Sequence, residues 1–424
     1  MSSTSAAALT PALQRLRDAC PLVEKTIYLA NCSQAPQSLP VRAATERFLE
    51  QWAELGMHWG GWIEEVEGAR AAFAALIGAR PEDIAVGTSV SQLVSSLASA
   101  LVQPQASRRR ILSSVVEFPC VPQAWHAAVQ AVPGWTLDLL TGKEAEVMEA
   151  DRLAAARANL PARHTHPSVM VNARQVIEAI DETTALVSVP LVSYTNGALL
   201  DAAPVVAAAH TQGALVLLDA YQGIGSVPID VQTSGVDFLV AGTLKYLLGT
   251  AGIAFLYVRP QVRQQLKPAV TGWFGRTDPF DYNPAGLEYA PGGSRFDLGT
   301  PPLINAFAAR AGMELIRETG VEEINAQINR LSALAYRAAP ARGLSILGPQ
   351  QVAHKGAITA IDAGSLERAR WLEGELRQQK IIASARGEAV RLAPHGFTLE
   401  AELEQALDIV ARLLESAPSR PAAY

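Results

Sequence analysis

The stretch ALVLLDAYQGIGSVPIDVQTSGVDFLVAGTLK, residues 214–245, contains two apolar runs of the kind that form buried β-strands. The first run is followed at once by Asp219, and the second leads into Lys245. Open α/β sheets bind their ligands at the carboxyl ends of their parallel strands. We therefore expect the acid and the lysine to lie together at one edge of a sheet.

An acid and a lysine in this arrangement suit pyridoxal phosphate. This cofactor needs a lysine that forms a Schiff base with its aldehyde, and a carboxylate that keeps its pyridine nitrogen protonated. The alternative is that both residues only cap the ends of a strand and a helix. The sequence around the two residues favours the cofactor site over simple capping. DAYQGIG includes Gln222, and Thr243 stands shortly before the lysine, so the segment resembles class V aminotransferases, which are fold-type I pyridoxal-phosphate enzymes.

This resemblance implies an α/β fold. It comprises a mostly parallel seven-stranded sheet in a large cofactor-binding domain and a smaller α+β domain at the carboxyl end. We divide the chain into an amino-terminal segment (1–60) that packs on the small domain, the large domain (61–300) and the small domain (301–424). Residues 249–258, which follow the lysine, are expected to form an antiparallel strand at the edge of the sheet.

Composition limits the partners and the compartment. Charged residues make up 18% of the chain and the net charge is −6, so electrostatics gives no reason to expect binding to nucleic acid or to a membrane surface. The apolar runs are well short of the ~20 residues that cross a bilayer. The amino terminus lacks the pattern of a secretory signal, and the three cysteines form no redox or metal-binding pair. We expect a soluble, cytoplasmic protein.

A second motif, GTSVSQ at residues 87–92, follows a predicted strand and opens an apolar helix. Free backbone N–H groups and hydroxyls at such a helix start can bind a phosphate. Ordinary helix capping by Ser and Thr is the open alternative. In the family that the chain resembles, this position binds the cofactor phosphate, which selects Ser89, Val90 and Ser91.

Two further strand ends supply side chains that the resemblance places around the cofactor ring. EFP, residues 117–119, implies that Phe118 stacks on the ring. SYTNG, residues 193–197, occupies the position whose side chain hydrogen-bonds the 3-oxygen of the cofactor. Tyr194 and Asn196 both suit this role, and the sequence leaves the choice open.

Gln222 corresponds in the resemblance to the residue that contacts the phenolic oxygen of the cofactor. The neighbouring GIG was weighed as a dinucleotide fingerprint. That motif needs a glycine that opens a helix, and Pro228 breaks any helix here. We therefore exclude a Rossmann-type site.

The Gly-, Pro- and aromatic-rich segment of residues 271–303 has the length of a functional loop. Its GWFG, PGGSRF and GTPP resemble kynureninases and related class V members. That resemblance implies that Trp273 lies at the active site and that Thr300 reaches the phosphate of a neighbouring subunit, hence a homodimer. In VRLAPH it assigns Arg391 to the α-carboxylate of an amino-acid substrate, which a guanidinium binds bidentately.

One H-x-H motif, His164 and His166, stands in the sequence without a third ligand. Such a pair is typical of a surface loop. We expect no metal.

The resemblance implies catalysis on an α-amino acid through a Schiff base of Lys245, with Asp219 stabilising the pyridinium. We expect amino-group transfer. Kynureninases carry other residues where this chain has Val121, Gln222 and Leu244, and no cysteine follows the lysine for persulfide chemistry. Kynureninase-type C–C hydrolysis or C–S lysis is the alternative, then epimerisation. A non-catalytic cofactor-binding protein is the last.

Overall fold

A computed structural model describes residues 8–141, 143–144 and 166–417 of the chain. The helices of this part are α1 (Pro11–Asp18), α2 (Leu39–Leu55), α3 (Trp59–Leu76), α4 (Val90–Leu101), α5 (Cys120–Ala131), α6 (Ala173–Glu178), α7 (Ala202–Thr211), α8 (Val231–Ser234), α9 (Pro260–Arg263), α10 (Leu303–Thr319), α11 (Val321–Ala338), α12 (Leu366–Gln378) and α13 (Glu400–Ser416). The strands are β1 (Ile27–Tyr28), β2 (Ile84–Gly87), β3 (Arg110–Ser114), β4 (Thr136–Leu140), β5 (Lys143–Glu144), β6 (Val169–Met170), β7 (Thr184–Pro190), β8 (Leu215–Asp219), β9 (Phe238–Gly242), β10 (Ala254–Val258), β11 (Ile346–Leu347), β12 (Thr359–Asp362), β13 (Ile381–Ile382), β14 (Ser384–Arg386) and β15 (Ala389–Leu392).

The central sheet has seven strands in the order β2-β10-β9-β8-β7-β3-β4. β10 runs antiparallel to both of its neighbours, and every other neighbouring pair is parallel. The predicted α/β fold with a mostly parallel seven-stranded sheet is confirmed. The expected edge position of β10 is wrong, because the strand lies between β2 and β9. Its apolar pattern reports that both faces are covered, but it carries no information about neighbours in the hydrogen-bonding direction.

Side chains of the two central strands alternate between two cores, one on each face of the sheet. Leu218 and Leu239 pack in the core that contains residues of α3 and α7. Leu217 and Val240 pack in the core that contains residues of α4 and α5. Because both faces are buried, the runs read as continuous apolar sequence.

A separate antiparallel sheet, β11-β12-β15-β14, forms from the later part of the chain. Its apolar face packs in a core that includes residues of α12 and α13. β1 pairs in parallel with β13, so the amino-terminal segment contacts this part of the molecule. The division of the chain at residues 60 and 300 stays a prediction.

The Gly- and Pro-rich segment between β10 and α10 consists largely of turns, with short 3-10 helices at Trp273–Gly275, Pro279–Asp281 and Gly293–Phe296. A buried ion pair anchors it, since Arg70 Nη2 lies 2.9 Å from Asp297 Oδ2. Asp297 Oδ1 also accepts a hydrogen bond of 2.7 Å from the backbone N–H of Val86 in β2. Asp297 therefore ties an irregular segment to the central sheet.

In the part of the chain that the structure describes, no helix is long and apolar enough to cross a bilayer.

Candidate active site

Asp219 and Lys245 lie at the same edge of the central sheet. Asp219 ends β8 and is paired with Val240 of β9, and Lys245 follows β9 by three residues. Asp219 Oδ1 accepts a hydrogen bond of 2.8 Å from the backbone N–H of Tyr221. Lys245 Nζ lies 4.2 Å from the centroid of the Tyr221 ring. The structure thus brings the predicted acid and lysine into one buried site.

Burial sets the ionisation of this pair. It lowers the pKa of Lys245 to about 8, although Asp219 opposes the change. Burial raises the pKa of Asp219, while the Tyr221 N–H and the positive charge of Lys245 lower it. A lysine with a pKa near neutrality supplies the neutral amine that a nucleophile or a general base needs.

The loop after Lys245 is held by close backbone packing. A Cβ atom at Gly225, whose φ is +79°, would lie 2.7 Å from the carbonyl oxygen of Tyr246. Only glycine suits this position, because a side chain would meet that carbonyl and the left-handed φ is unfavourable for other residues. Gly225 of the GIG motif therefore allows the backbone that follows Lys245 to pack closely against it.

Glu117 is a further acid of this site, to which the sequence interpretation gave no role. It is 3% exposed, and its Oε1 accepts a hydrogen bond of 2.7 Å from the backbone N–H of Phe118. Its Oε2 is buried without a hydrogen-bond donor. Burial and the neighbouring Asp219 raise the pKa of Glu117 well above its usual range. The sequence signal for it is an acid just beyond a buried strand, the same signal that identified Asp219.

The start of α4 presents the three residues predicted to bind a phosphate. Ser89 is the N-cap of the helix and its hydroxyl accepts a hydrogen bond of 3.2 Å from the N–H of Gln92. Ser89 and Ser91 are exposed, whereas the side chain of Val90 is buried, so that Val90 has only its backbone to offer. The capping that the sequence left as an alternative is present, and it leaves the other N–H groups of the first turn outside the helix ladder.

Phe118 presents an open ring next to Lys245. It is 39% exposed, and Lys245 Nζ lies 5.6 Å from its ring centroid. Tyr194 packs edge-on against this ring, with 5.2 Å between the centroids. Phe118 and Tyr194 are therefore grouped with the lysine.

Asn196 is occupied elsewhere. Its Nδ2 donates to the carbonyl oxygens of Pro167 and Val169 at 2.7 and 3.0 Å, and its Oδ1 accepts from the N–H of Ala198 at 3.0 Å. These bonds hold the loop after β7. Of the two alternatives for the 3-oxygen contact, the geometry favours Tyr194.

Gln222 and Thr243 are both buried beside the lysine loop. Gln222 Nε2 donates a hydrogen bond of 2.9 Å to the carbonyl oxygen of Cys32, and its Oε1 is buried without a partner. Thr243 Oγ1 donates to the carbonyl oxygen of Thr250 at 3.0 Å. The first residue has unused hydrogen-bonding capacity, whereas the second stabilises the loop that carries Lys245.

Arg391 lies on β15 and is 1% exposed. Its guanidinium donates to the carbonyl oxygen of Tyr194 at 2.6 Å, to Ser33 Oγ at 3.0 Å and to Ser384 Oγ at 2.6 Å. The sequence interpretation missed Ser33 and Ser384. Arg391 therefore joins three chain segments at the site, and all three of these acceptors are uncharged.

Trp273 and Thr300, which the sequence places at the active site, have other surroundings in the single chain. Trp273 packs in an aromatic cluster with Phe274, Phe280 and Tyr282, at centroid distances of 4.4, 5.8 and 6.3 Å. Thr300 is exposed. The structure of one chain does not bring either residue into contact with Lys245.

His166 is engaged in local contacts, and His164 lies outside the described residues. His166 Nδ1 is 2.6 Å from Ser168 Oγ, and its Nε2 is 3.3 Å from Glu388 Oε2. Across residues 8–141, 143–144 and 166–417, no cluster of three or more His, Cys, Asp or Glu side chains has the arrangement of a metal site.

Comparisons with known proteins identify the family of the chain. The family model for class V aminotransferases matches residues 140–401. The uncharacterised aminotransferase YcbU of Bacillus subtilis is 33% identical over 398 residues, which cover 94% of this chain and 97% of that protein. Kynureninase of Pseudomonas fluorescens is 27% identical over 81% of this chain and 79% of its own. The chain belongs to the class V aminotransferase family.

Solved structures share the fold. The apo structure of cysteine desulfurase from Thermococcus onnurineus NA1 superposes with a TM-score of 0.79 at 20% identity, covering 97% of this chain and 100% of that chain. A C-DES mutant with glycine covalently linked to its PLP cofactor gives a TM-score of 0.79 at 19% identity, covering 93% and 98% of the two chains. The fold is that of fold-type I pyridoxal-phosphate enzymes.

Pyridoxal phosphate is the cofactor, as family membership establishes, and the described residues fit it. Gln222 Oε1 is a buried polar atom without a partner in the protein alone. The ring of Phe118 is exposed near Lys245, and the start of α4 is also exposed. An anion site, a flat apolar surface, a carboxylate and an amine are the four contacts that this cofactor requires.

Proposed function

We propose that this protein transfers the amino group of an α-amino acid to a keto-acid acceptor. The observation that carries the proposal is the grouping of Lys245, Asp219 and Arg391 around one buried site at the carboxyl edge of the sheet. YcbU, which is named an aminotransferase and matches nearly the whole chain, supports the same reaction class.

The residues divide the tasks of holding the cofactor. The N–H groups of Val90 and Ser91, with the hydroxyl of Ser89, bind its phosphate at the positive end of the α4 dipole. Phe118 covers one face of the ring. Asp219 binds the ring nitrogen, which keeps that nitrogen protonated. In the bound state pyridoxal phosphate supplies an electron sink.

Two more residues of the predicted site complete the cofactor contacts. Tyr194 and Gln222 are the candidates for its 3-oxygen. Tyr194 lies beside Phe118, and Gln222 Oε1 lacks a partner. The side-chain amide of Asn196 already forms three hydrogen bonds with the loop backbone, so this residue stabilises the loop instead. Thr243 acts through the loop that positions Lys245.

Lys245 moves the proton in this proposal. Its amine removes the proton from the substrate Cα and then donates that proton to complete the transfer of the amino group. The pKa of about 8 allows both directions near neutral pH, since neither protonation state is strongly preferred.

Arg391 orients the substrate by its α-carboxylate. A buried guanidinium whose acceptors are all uncharged gains a stronger, charge-assisted hydrogen bond when a carboxylate enters. The hydrogen bonds that the guanidinium donates to Ser33, Ser384 and Tyr194 fix its plane beforehand. The substrate class is therefore α-amino acids.

Cleavage of a C–C or C–S bond is the second candidate, because kynureninases match most of the chain. Against it stand Val121, Gln222 and Leu244, where kynureninases are expected to carry different residues. Epimerisation follows third, and cofactor binding without catalysis is last. The candidates differ in their products.

A single-turnover experiment separates the candidates. Purified protein with bound cofactor is mixed with single L-amino acids, including kynurenine and cysteine conjugates, and products and released cofactor are identified by mass spectrometry. Transfer predicts a keto acid and a cofactor that carries the amino group, which a second keto acid removes. Release of alanine or pyruvate with an unchanged cofactor would instead establish cleavage.

We also propose a homodimer in which Trp273 and Thr300 serve the neighbouring site. Both lie away from Lys245 in one chain, and Thr300 is exposed. Exposed apolar side chains in the same segment, Phe280 and Tyr282, offer surface for a second copy. A cytoplasmic location stays a prediction, which fractionation of the source cells would test.

A further inference from the structure

A second arginine lies on the same face of the small sheet as Arg391. Arg391 of β15 pairs directly with Ser384 of β14, and Arg386 lies two residues further along β14. Since side chains alternate along a strand, Ser384, Arg386 and Arg391 point to one face. Diagonal neighbours of this kind have Cβ atoms about 7–8 Å apart, within reach of long side chains.

Arg386 reaches the active site through Tyr194. Its guanidinium carbon lies 5.8 Å from the centroid of the Tyr194 ring, which in turn packs against Phe118. Arg386 and Tyr194 line a cavity of about 300 Å³, together with Glu117 and His126. The cavity therefore extends from the edge of the cofactor site to the second arginine.

The side chain of Arg386 forms no ion pair or hydrogen bond with any other of the described residues. The carboxylate that affects it most is that of Glu373, which forms no ion pair with it. Partial burial lowers the pKa of Arg386, and the positive charge of Arg391 lowers it further. Two cations on one face, neither paired with a carboxylate of the described residues, are an arrangement that an anionic ligand stabilises.

We propose that Arg386 binds the side-chain carboxylate of the substrate, so that the enzyme acts on acidic amino acids, aspartate or glutamate. This inference rests on the proposed function, in which Arg391 binds the α-carboxylate. Arg391 then binds the α-carboxylate and Arg386 binds the side-chain carboxylate. The ring of Tyr194 holds the Arg386 guanidinium by a cation–π contact.

The preference for an acid over its amide measures the role of Arg386. Rate constants for the single-turnover reaction are compared for aspartate with asparagine and for glutamate with glutamine, because each pair differs in charge and hardly in shape. We expect the wild-type protein to prefer one acid, and the comparison of aspartate with glutamate identifies which.

Arg386→Met removes the charge and keeps much of the side-chain length. We expect it to reduce the acid-over-amide preference by about 10- to 100-fold, the effect of losing a charged hydrogen bond. Arg386→Lys should retain part of the preference. Arg174→Met is the matched control, since Arg174 is 85% exposed and forms an ion pair with Glu178, four residues along its own helix.

The outcomes separate this inference from the proposed function. A wild-type protein that transfers amino groups without preferring either acid, or a preference that survives Arg386→Met, would overturn the inference alone. If no amino acid reacts, calorimetry with glutarate and butyrate still tests it. Tighter binding of glutarate that is lost in Arg386→Met supports the second carboxylate site, and equal binding of both acids refutes it.

Discussion

Two buried carboxyl groups, those of Glu117 and Asp219, adjoin each other beside Lys245. Glu117 Oε2 has no donor, and both groups have a raised pKa because burial disfavours their charged forms. The interaction between the two carboxyl groups raises the pKa of Glu117 and lowers that of Asp219. Glu117 is therefore the member of the pair that holds a proton, and Asp219 is the one left free to carry the charge.

Glu117→Gln tests this assignment through stability. A carboxyl whose pKa is raised on folding stabilises the protein at low pH, and that contribution is lost as the pH rises from the ordinary pKa toward the raised one. Glutamine stays neutral, so the cofactor-free variant should gain in melting temperature relative to the wild type as the pH is raised from about 5 to about 8. A difference in melting temperature that is constant over this range would contradict a protonated Glu117.

Tyr194 and Asn196, which the sequence left as equal candidates, should respond oppositely to substitution. Tyr194→Phe removes a hydroxyl beside Phe118, so we expect a shifted absorbance band of the bound cofactor and little change in stability. Asn196→Ala removes the partner of one buried carbonyl oxygen, one partly buried carbonyl oxygen and one N–H, which should cost about 1–3 kcal/mol of unfolding free energy and leave the band in place. Spectra and urea denaturation of both variants, measured side by side, check this. A band shift in Asn196→Ala alone would reverse the assignment.

At the scale of elements, the loop after β15 stabilises the loop that carries Lys245. His395 is fully buried between the rings of Tyr246 and Phe397. Its Nδ1 accepts a hydrogen bond of 2.8 Å from the N–H of Gly396, so Nε2 carries the proton and donates to the carbonyl oxygen of Tyr246 at 3.1 Å. Tyr246, the residue after the lysine, is thus held in place by a residue that follows the last strand of the small sheet.

This contact predicts sensitivity to acid. Burial lowers the pKa of His395 from 6.5 to about 4, so the unfolded chain binds one more proton than the folded protein between these values. Stability must therefore fall as the pH drops through this window, by up to about 3 kcal/mol from this residue. His395→Gln, which keeps a donor for Tyr246, should lose that part of the pH dependence in urea denaturation. The exposed His354→Gln should retain it, and equal pH profiles for all three proteins would argue against the assignment.

Elements were predictable where a local pattern determines them. The apolar runs before Asp219 and Lys245 predict β8 and β9, and the same rule applied to the acid after β3 would have found Glu117. The place of β10 inside the sheet was not predictable, because strand order depends on pairing between distant segments. Asn196 shows the same limit, since its partners lie on a loop about 30 positions away that local sequence does not associate with it.

At the scale of the whole molecule, the site depends on contacts between distant parts of the chain. Gln222 bonds to Cys32 across 190 positions, and Arg391 bonds to Tyr194 across 197. The motifs occur in the order typical of the family that the chain resembles, and this resemblance implied that these segments meet. The spacing of residues alone predicts neither these two contacts nor the lack of an ion pair at the Arg386 side chain.

The proposed exchange of residues between subunits can be tested by complementation. Lys245→Ala and Thr300→Asp are expected to be inactive as separate homodimers, the second because an added negative charge repels the phosphate. A mixed dimer has one site with an intact lysine and an intact threonine. Unfolding and refolding the two proteins together should restore about a quarter of the wild-type activity, since half of the dimers are mixed and half of their sites are intact. No recovery in confirmed mixed dimers would contradict a shared site.

The central claim, that Lys245 is the residue that binds pyridoxal phosphate, is tested most directly by reduction of the cofactor-loaded protein with borohydride and mapping of the labelled peptide by mass spectrometry. The chain contains a competitor for this test. Lys355 is also buried, its pKa is lowered by burial to about 7, and its Nζ donates to Ser332 Oγ at 2.8 Å. We predict a phosphopyridoxyl group on Lys245 and none on Lys355. A label on Lys355, or no label on either lysine, would contradict the account.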